Sequence, residues 1–267
     1  MPTMIFYERP MVLNRERHRL LKLHRLSGQF GFARGTNSVL MAASEILEAA
    51  RDYPVVFVRG ADGAYALAAL LGLRDRENLF VDADGQWRSG AYVPAFVRRY
   101  PFVVAEGGSE QLTVCVDESY PGWSQTEGEP LFDEAGRDAP LLQGAVEFLK
   151  LFHAEMQRTR AFCARLAALG LLVPKTIRVE RGNQQEVLDG LYVVDEQKLR
   201  GLDDAQVLAL FRDGWLPWVH AHLLSLGNVG QLARMALPTP SPVVAAPAPR
   251  AEPAPAGAAS RPRKRAG

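Results

Sequence analysis

Two arginines stand side by side at positions 98 and 99, inside the stretch YVPAFVRRYPF that runs from Tyr92 to Phe102. A guanidinium fork binds carboxylate or phosphate in bidentate fashion and stacks on aromatic faces. Tyr92, Phe96 and Tyr100 supply such faces close by in sequence. The pair fits an anion-binding role. It also fits a structural ion pair with the acidic excess of the core, for which Asp117 and Glu118 are the natural partners. Asp117 and Glu118 follow an apolar run and have the chemistry of a general base or a metal carboxylate, although acids are common at strand ends.

The other candidates have plainer readings. His220 and His222 form an HxH pair, but residues two apart on a helix point to nearly opposite faces. One core or interface histidine and one solvated histidine is expected, not a shared metal site. Asp82-Ala83-Asp84-Gly85 resembles the start of a calcium loop, but it lacks the third acidic ligand before the glycine, and Val93 stands where the closing glutamate belongs. A hairpin turn accounts for it, because Asp-Gly between apolar segments favours one. Cys115 and Cys163 lie in apolar surroundings and read as buried thiols. Gly107-Gly108 reads as a turn. There is no phosphate-binding glycine loop, no GxSxG and no HExxH, so no metal and no cofactor are expected.

The elements that must position these residues come in two kinds. Arg51-Asp52-Tyr53-Pro54 and Arg99-Tyr100-Pro101 each precede an apolar, β-rich run. Proline is tolerated at a strand start, where no ladder donor is lost, so both runs read as strands buried on both faces, and the base rate argues against a cis Tyr-Pro bond. Phe30 to Ala33, Ala64 to Leu73, Asn78 to Asp82 and Gln111 to Asp117 read as further strands, and Tyr92 to Tyr100 as extended with Pro94 at an edge or bulge. Together these predict one antiparallel or mixed sheet of about five or six strands. Asn14 to Leu23 reads as a short amphipathic segment with Leu20, Leu21 and Leu23 inward, and Ser38 to Arg51 as a helix with Glu45 and Glu48 outward. Glu118 to Pro140 is a long connection anchored by Trp123, Leu131 and Phe132.

Gln143 to Leu169 carries the clearest helical stripe, from Phe148 through Phe152, Phe162 and Leu166. Thr176 to Glu180 and Leu188 to Val194 read as a hairpin. Asp203 and Gln206 form a capping box, Gly214 ends that helix, and Pro217 opens another that continues through Leu232.

Composition bounds the answer. The 267 residues are 48% apolar and 23% charged, with a net charge of +1, ordinary for a globular protein and giving no global pull toward nucleic acid. The end from Pro238 collapses to Pro, Ala and Ser and reads as disordered. Its five basic residues against Glu252 give it about +4 by count. Arg261 to Arg265 is its one feature for nucleic acid or anionic lipid. No export signal or spanning run is legible, which predicts a cytoplasmic protein.

At this point the segment order becomes informative. Tyr53-Pro54-Val-Val-Phe57, Leu71-Gly72-Leu73-Arg74, Glu77 to Asp82 with Gly85 and Trp87, the whole of Tyr92 to Phe102, and Cys115-Val116-Asp117-Glu118 resemble the SapC family of bacterial proteins. Leu191 to Asp195 and Gly214 to Asn228 resemble its C-terminal half. The likeness spans roughly residues 5 to 235. The family takes its name from a surface-layer system, and members are often labelled peptide transporter permeases. A permease needs spanning segments that this sequence lacks. The resemblance carries no catalytic residues over.

The expected fold is α+β: a sheet-rich part over residues 1–120 packed with a helical part over 141–237, then a disordered basic tail over 238–267. The expected function is a cytoplasmic accessory or binding protein serving production of an envelope or surface-layer component. The rival is an enzyme, or enzyme partner, acting on a peptide or small metabolite near Tyr92, Arg98, Arg99, Asp117 and Glu118. A protein partner would dock near Trp215 and Trp218.

Overall fold

In the computed structural model, which describes residues 4–24, 26, 28–105, 112–181 and 184–236, strand β1 (Pro10–Val12) is followed by turns and by β2 (Lys22–Leu23). β3 (Ser38–Leu40) leads through a 3-10 turn into the single-turn helix α1 (Ile46–Ala49). The hairpin of β4 (Val55–Arg59) and β5 (Tyr65–Leu70) comes next. Helix α2 (Ala95–Arg98) precedes β6 (Phe102–Ala105), β7 (Thr113–Asp117), β8 (Trp123–Ser124) and β9 (Glu129–Pro130). The long helix α3 (Pro140–Ala168) precedes β10 (Leu172–Arg181) and β11 (Gln184–Val194). Helices α4 (Glu196–Arg200), α5 (Asp204–Arg212), α6 (Leu216–Ser225) and α7 (Val229–Ala236) complete the described chain.

The fold is α+β, and every pairing between these strands is antiparallel. The expected single sheet is instead three: one of five strands in the order β10-β11-β4-β5-β3, and two of three strands, β1-β7-β6 and β8-β2-β9. The C-terminal hairpin joins the larger sheet through β11 and β4, so the second half of the chain supplies strands as well as helices.

Burial explains the centre. Val55, Val56 and Phe57 of β4 are all fully buried, as the continuous apolar run behind Pro54 demands. The Phe57 ring meets Phe162 of α3 at 6.1 Å and His222 of α6 at 5.0 Å. Burying one such aromatic contributes about 1.5–3 kcal/mol. Helix α6 is also tied to the sheet by polar contacts. His222 Nδ1 donates to the Val55 carbonyl at 2.8 Å, and its Nε2 accepts from the Val194 amide at 3.1 Å. The Ser225 hydroxyl accepts from the Val55 amide at 3.0 Å.

β6 and β7 lie between two hydrophobic clusters. Val103 and Cys115 face the larger one, and Phe102 and Val116 face a smaller one with Leu131, Phe132, Leu142 and Leu149. Strand alternation produces this directly.

Several local expectations hold. Helix α3 follows its stripe and ends where Gly170 and Leu171 bond back to Ala167 and Leu166, and the Asp203–Gln206 capping box opens α5. Others change. Phe30 to Ala33 is not a strand: a 3-10 turn spans Gly31–Ala33. Ser38 to Arg51 divides into β3, a 3-10 turn and α1, because Ser38 to Leu40 pair with β5, an inter-strand gain that overrides helix propensity. Glu45 turns inward, at 8% exposure, while Leu20 points out at 66%. Residues Ala95 to Arg98 coil into a helical turn, and the Tyr100–Pro101 bond is cis. Pro217 is the second residue of α6, and a 3-10 turn at Leu226–Asn228 separates α6 from α7. The tail from Pro238 with its basic end, Gly107-Gly108, and residues 182–183 of the C-terminal hairpin's turn lie outside the described residues.

Candidate functional site

Pro94 starts the local geometry. It has no amide to place, its φ is fixed near the value a helix entry needs, and its carbonyl accepts from the Val97 and Arg98 amides at 2.9 and 3.0 Å. The turn that results puts Phe96 and Val97 into the core and leaves Arg98 exposed at its end. The missing partner is Glu45, far away in sequence. Its Oε1 accepts from the Tyr92 hydroxyl and from the Ala95 amide, both at 2.7 Å, and its Oε2 accepts from the Ala42 amide at 3.1 Å. Arg98 Nη2 lies 3.8 Å from the same Oε1 and donates to the Tyr92 hydroxyl at 3.1 Å, while its Nε donates to the Val93 carbonyl at 2.9 Å. Burial, and then the Glu45 carboxylate, push the Tyr92 phenol up to about 12.

Arg99 takes the other side of the turn. Its guanidinium lies 3.9 Å over the Phe96 ring, with Phe152 at 5.5 Å and Tyr7 at 5.7 Å. Its charge also acts on the Tyr7 phenol, partly opposing the rise that burial causes. Arg98 sits 5.3 Å over Phe148 of α3. Arg98 and Arg99 both line a cleft of about 630 Å³, whose apolar lining includes Phe30, Phe32, Val97, Leu141 and Phe148. Phe32 stacks on Tyr100 at 4.0 Å in that lining. Directed cationic donors beside an aromatic wall suit a small anion with an apolar body.

The ion pair of Arg98 is with Glu45 rather than with Asp117 or Glu118. Asp117 is fully buried. Its oxygens accept from the amides of Glu8, Arg9 and Ser119 at 3.0 Å each, from the Ser119 hydroxyl at 2.6 Å and from the Tyr100 hydroxyl at 3.3 Å. Burial alone would raise its carboxyl, but the Ser119 bonds and the Glu8 and Arg9 amides outweigh that and hold it below the usual range. Glu118 instead pairs with Arg17 at 2.7 Å and His18 at 3.2 Å.

The remaining candidates separate. Trp218 is 6% exposed, edge-on to Phe162 at 5.4 Å with Arg158 over it at 4.6 Å, and Trp215 is half-buried beside them. His222 is buried and His220 exposed. Both thiols are buried, and burial pushes Cys163 up to about 12. At Asp82–Gly85 the Asp82 carboxylate accepts from the Asp84 and Gln86 amides at 3.0 and 2.8 Å, a turn built around one side chain. Among the described residues no group of His, Cys, Asp and Glu is placed to hold a metal ion.

The profile of the SapC family matches residues 13–232. The chain belongs to the SapC family. No curated protein and no solved structure matches it. The SapC match contains every residue of the cleft. Among the described residues no helix is long and apolar enough to cross a membrane. Sequence reasoning found Tyr92, Arg98 and Arg99 of this SapC site because they are close in the chain. It missed Glu45, Phe30, Phe32 and Phe148. An acid three residues after Ala42, in the third position of a helical start, was the only local signal for Glu45.

Proposed function

We propose that this SapC protein is an accessory binding protein whose cleft beside Arg98 and Arg99 holds a small anionic molecule with an apolar body, and that it works in the cytoplasm in production of an envelope or surface-layer component. The carrying observation is the cleft of about 630 Å³ lined by Arg98, Arg99 and aromatic side chains, within the range of roughly 300–1,000 Å³ typical of small-ligand sites. The envelope role draws on the association of the SapC family with surface-layer systems. The rival reading, an enzyme or enzyme partner acting on a peptide or small metabolite, uses the same cleft. It is weakened because Asp117, the acid best placed in sequence to act as a base, is fully buried and already accepts from five donors.

Native mass spectrometry of the protein purified gently from its own host tests the reading. A stoichiometric small-molecule adduct, lost in a folded Arg98→Ala variant, is the expected result. An adduct that survives this change together with Arg99→Ala would place the ligand elsewhere, and turnover of the adduct to a new mass would favour the enzyme.

A further inference from the structure

Arg98 of the cleft is backed by a buried acid. Glu45, 8% exposed, lies 3.8 Å behind it and accepts from the Tyr92 hydroxyl to which Arg98 also donates. We infer that the cleft selects a singly charged carboxylate over a doubly charged phosphate, and that Glu45 is the positioning residue that sets this selectivity. The inference rests on the binding reading above and narrows its ligand class.

The charge balance carries the argument. The Arg98 guanidinium is matched by the Glu45 carboxylate 3.8 Å away, so it offers directed donors with its charge already balanced. Buried charges are poorly screened, so Glu45 acts on whatever enters beside Arg98. A monocarboxylate is satisfied by the donors alone. A phosphate dianion brings a second charge, which Glu45 opposes.

Donor geometry points the same way. Arg98 spends Nε on Val93 and one Nη2 hydrogen on Tyr92, which leaves the Nη1 side of the guanidinium for a ligand. Arg99 stacks on the Phe96 ring at 3.9 Å and contributes chiefly its field. Few directed donors suit a two-oxygen carboxylate better than a phosphate with three terminal oxygens to satisfy. The apolar body then lies against Phe148 and Phe32, beside Phe30, Val97 and Leu141 of the same lining.

Titration calorimetry on the full chain at mildly alkaline pH tests this with three probes of one shape class: 3-phenylpropionate, phenyl phosphate and the neutral 3-phenyl-1-propanol. The intact protein is expected to bind 3-phenylpropionate tightest. Arg98→Gln is expected to weaken it by about tenfold or more, the size of a lost charge-assisted hydrogen bond. Glu45→Gln keeps an acceptor for Tyr92 and Ala95 but removes the charge. It is expected to shift the ratio of the two anion affinities toward phenyl phosphate by about tenfold, whereas a merely structural role would weaken both anions alike. Arg98 is exposed, so its variant keeps the test standing if Glu45→Gln does not fold. Tighter binding of phenyl phosphate than of 3-phenylpropionate, both sensitive to Arg98, would overturn the carboxylate inference and leave the anion cleft intact. Equal binding of the neutral probe, or no binding of any probe, would overturn both.

Discussion

The Tyr92 hydroxyl donates to Glu45 Oε1 at 2.7 Å and accepts from Arg98 Nη2 at 3.1 Å. One phenol therefore links a buried carboxylate to the exposed guanidinium at the cleft. Tyr92→Phe removes both bonds and leaves the ring in place. Glu45 keeps the Ala95 and Ala42 amides, so the loss is partial: about 1–2 kcal/mol of stability is expected, read as a lower urea midpoint with an unchanged slope. Binding of 3-phenylpropionate should weaken as well, because Arg98 loses an orienting acceptor. Unchanged stability and unchanged binding together would show that the phenol links nothing.

Asp117 is expected to act as a clamp on the N-terminal segment. Its carboxylate gathers the Glu8 and Arg9 amides, both at 3.0 Å, onto the end of β7. Asn in its place offers one accepting oxygen and brings an amine toward backbone donors, so Asp117→Asn is expected to cost about 2–3 kcal/mol. Its signature is local: faster amide hydrogen exchange at Glu8, Arg9 and Ser119, with the amides of β4 and β5 still protected. The pH sign follows from the depressed carboxyl. The stabilisation is fully present above the unfolded-state value near 4 and is lost as pH falls through the lower folded-state value.

The contrast between these two acids shows what the sequence could reveal. Asp117 was conspicuous because it ends an alternating strand, but its partners at Glu8 and Arg9 are more than a hundred positions away and carry no side-chain signal, since they donate through backbone amides. Glu45 lay in a stretch of helix-forming composition and read as solvated. Only the pairing of Ser38 to Leu40 with β5 turns it inward. Arg98, Arg99 and Tyr92 were legible because they are close together in the chain. Phe148 and Phe32 reach the same cleft from α3 and from the turn before β3, a juxtaposition that tertiary packing alone creates. The strands behind Pro54 and Pro101, the stripe of α3 and the cap at Asp203 were legible for the opposite reason: each is decided within a few residues by sterics and periodicity.

His222 gives a second pH dependence with a different origin. Burial between α6 and the sheet lowers its pKa from 6.5 to about 4, and the Val55 carbonyl only partly opposes the shift. The neutral ring is the folded form, since Nε2 must accept from the Val194 amide. A depressed histidine pKa means that the unfolded chain takes up a proton before the folded chain does. The stabilisation is complete above about pH 6.5, is lost progressively as pH falls toward about 4, and amounts to about 3 kcal/mol over that window. Urea denaturation in steps across this range should show the slope. His222→Gln, which retains a donor and an acceptor but cannot titrate, should flatten it while lowering stability at neutral pH. An unchanged slope in that variant would assign the acid sensitivity to other groups.

Gly28 and Gly85 meet backbone to backbone, and this contact is expected to hold the near wall of the cleft. Phe30, which lines the cleft, donates its amide to the Gly85 carbonyl at 3.0 Å. A Cβ on Gly28 would lie 2.1 Å from the Asp84 carbonyl oxygen, at a φ of +72° that L side chains rarely adopt. Both penalties fall on backbone, which cannot rotate away. Gly28→Ala is therefore expected to cost about 2–4 kcal/mol, roughly a 5–10 °C fall in Tm for a domain of this size. Gly90 supplies the control. Its φ is +79°, but nothing lies within 4 Å of its Cβ position, so Gly90→Ala should cost only the conformational part, about 1 kcal/mol. The difference between the two variants isolates the clash. Loss of 3-phenylpropionate binding in Gly28→Ala but not in Gly90→Ala would show that the contact positions Phe30 and Phe32 for the ligand, whereas equal effects on Tm and on binding would reduce it to an ordinary turn.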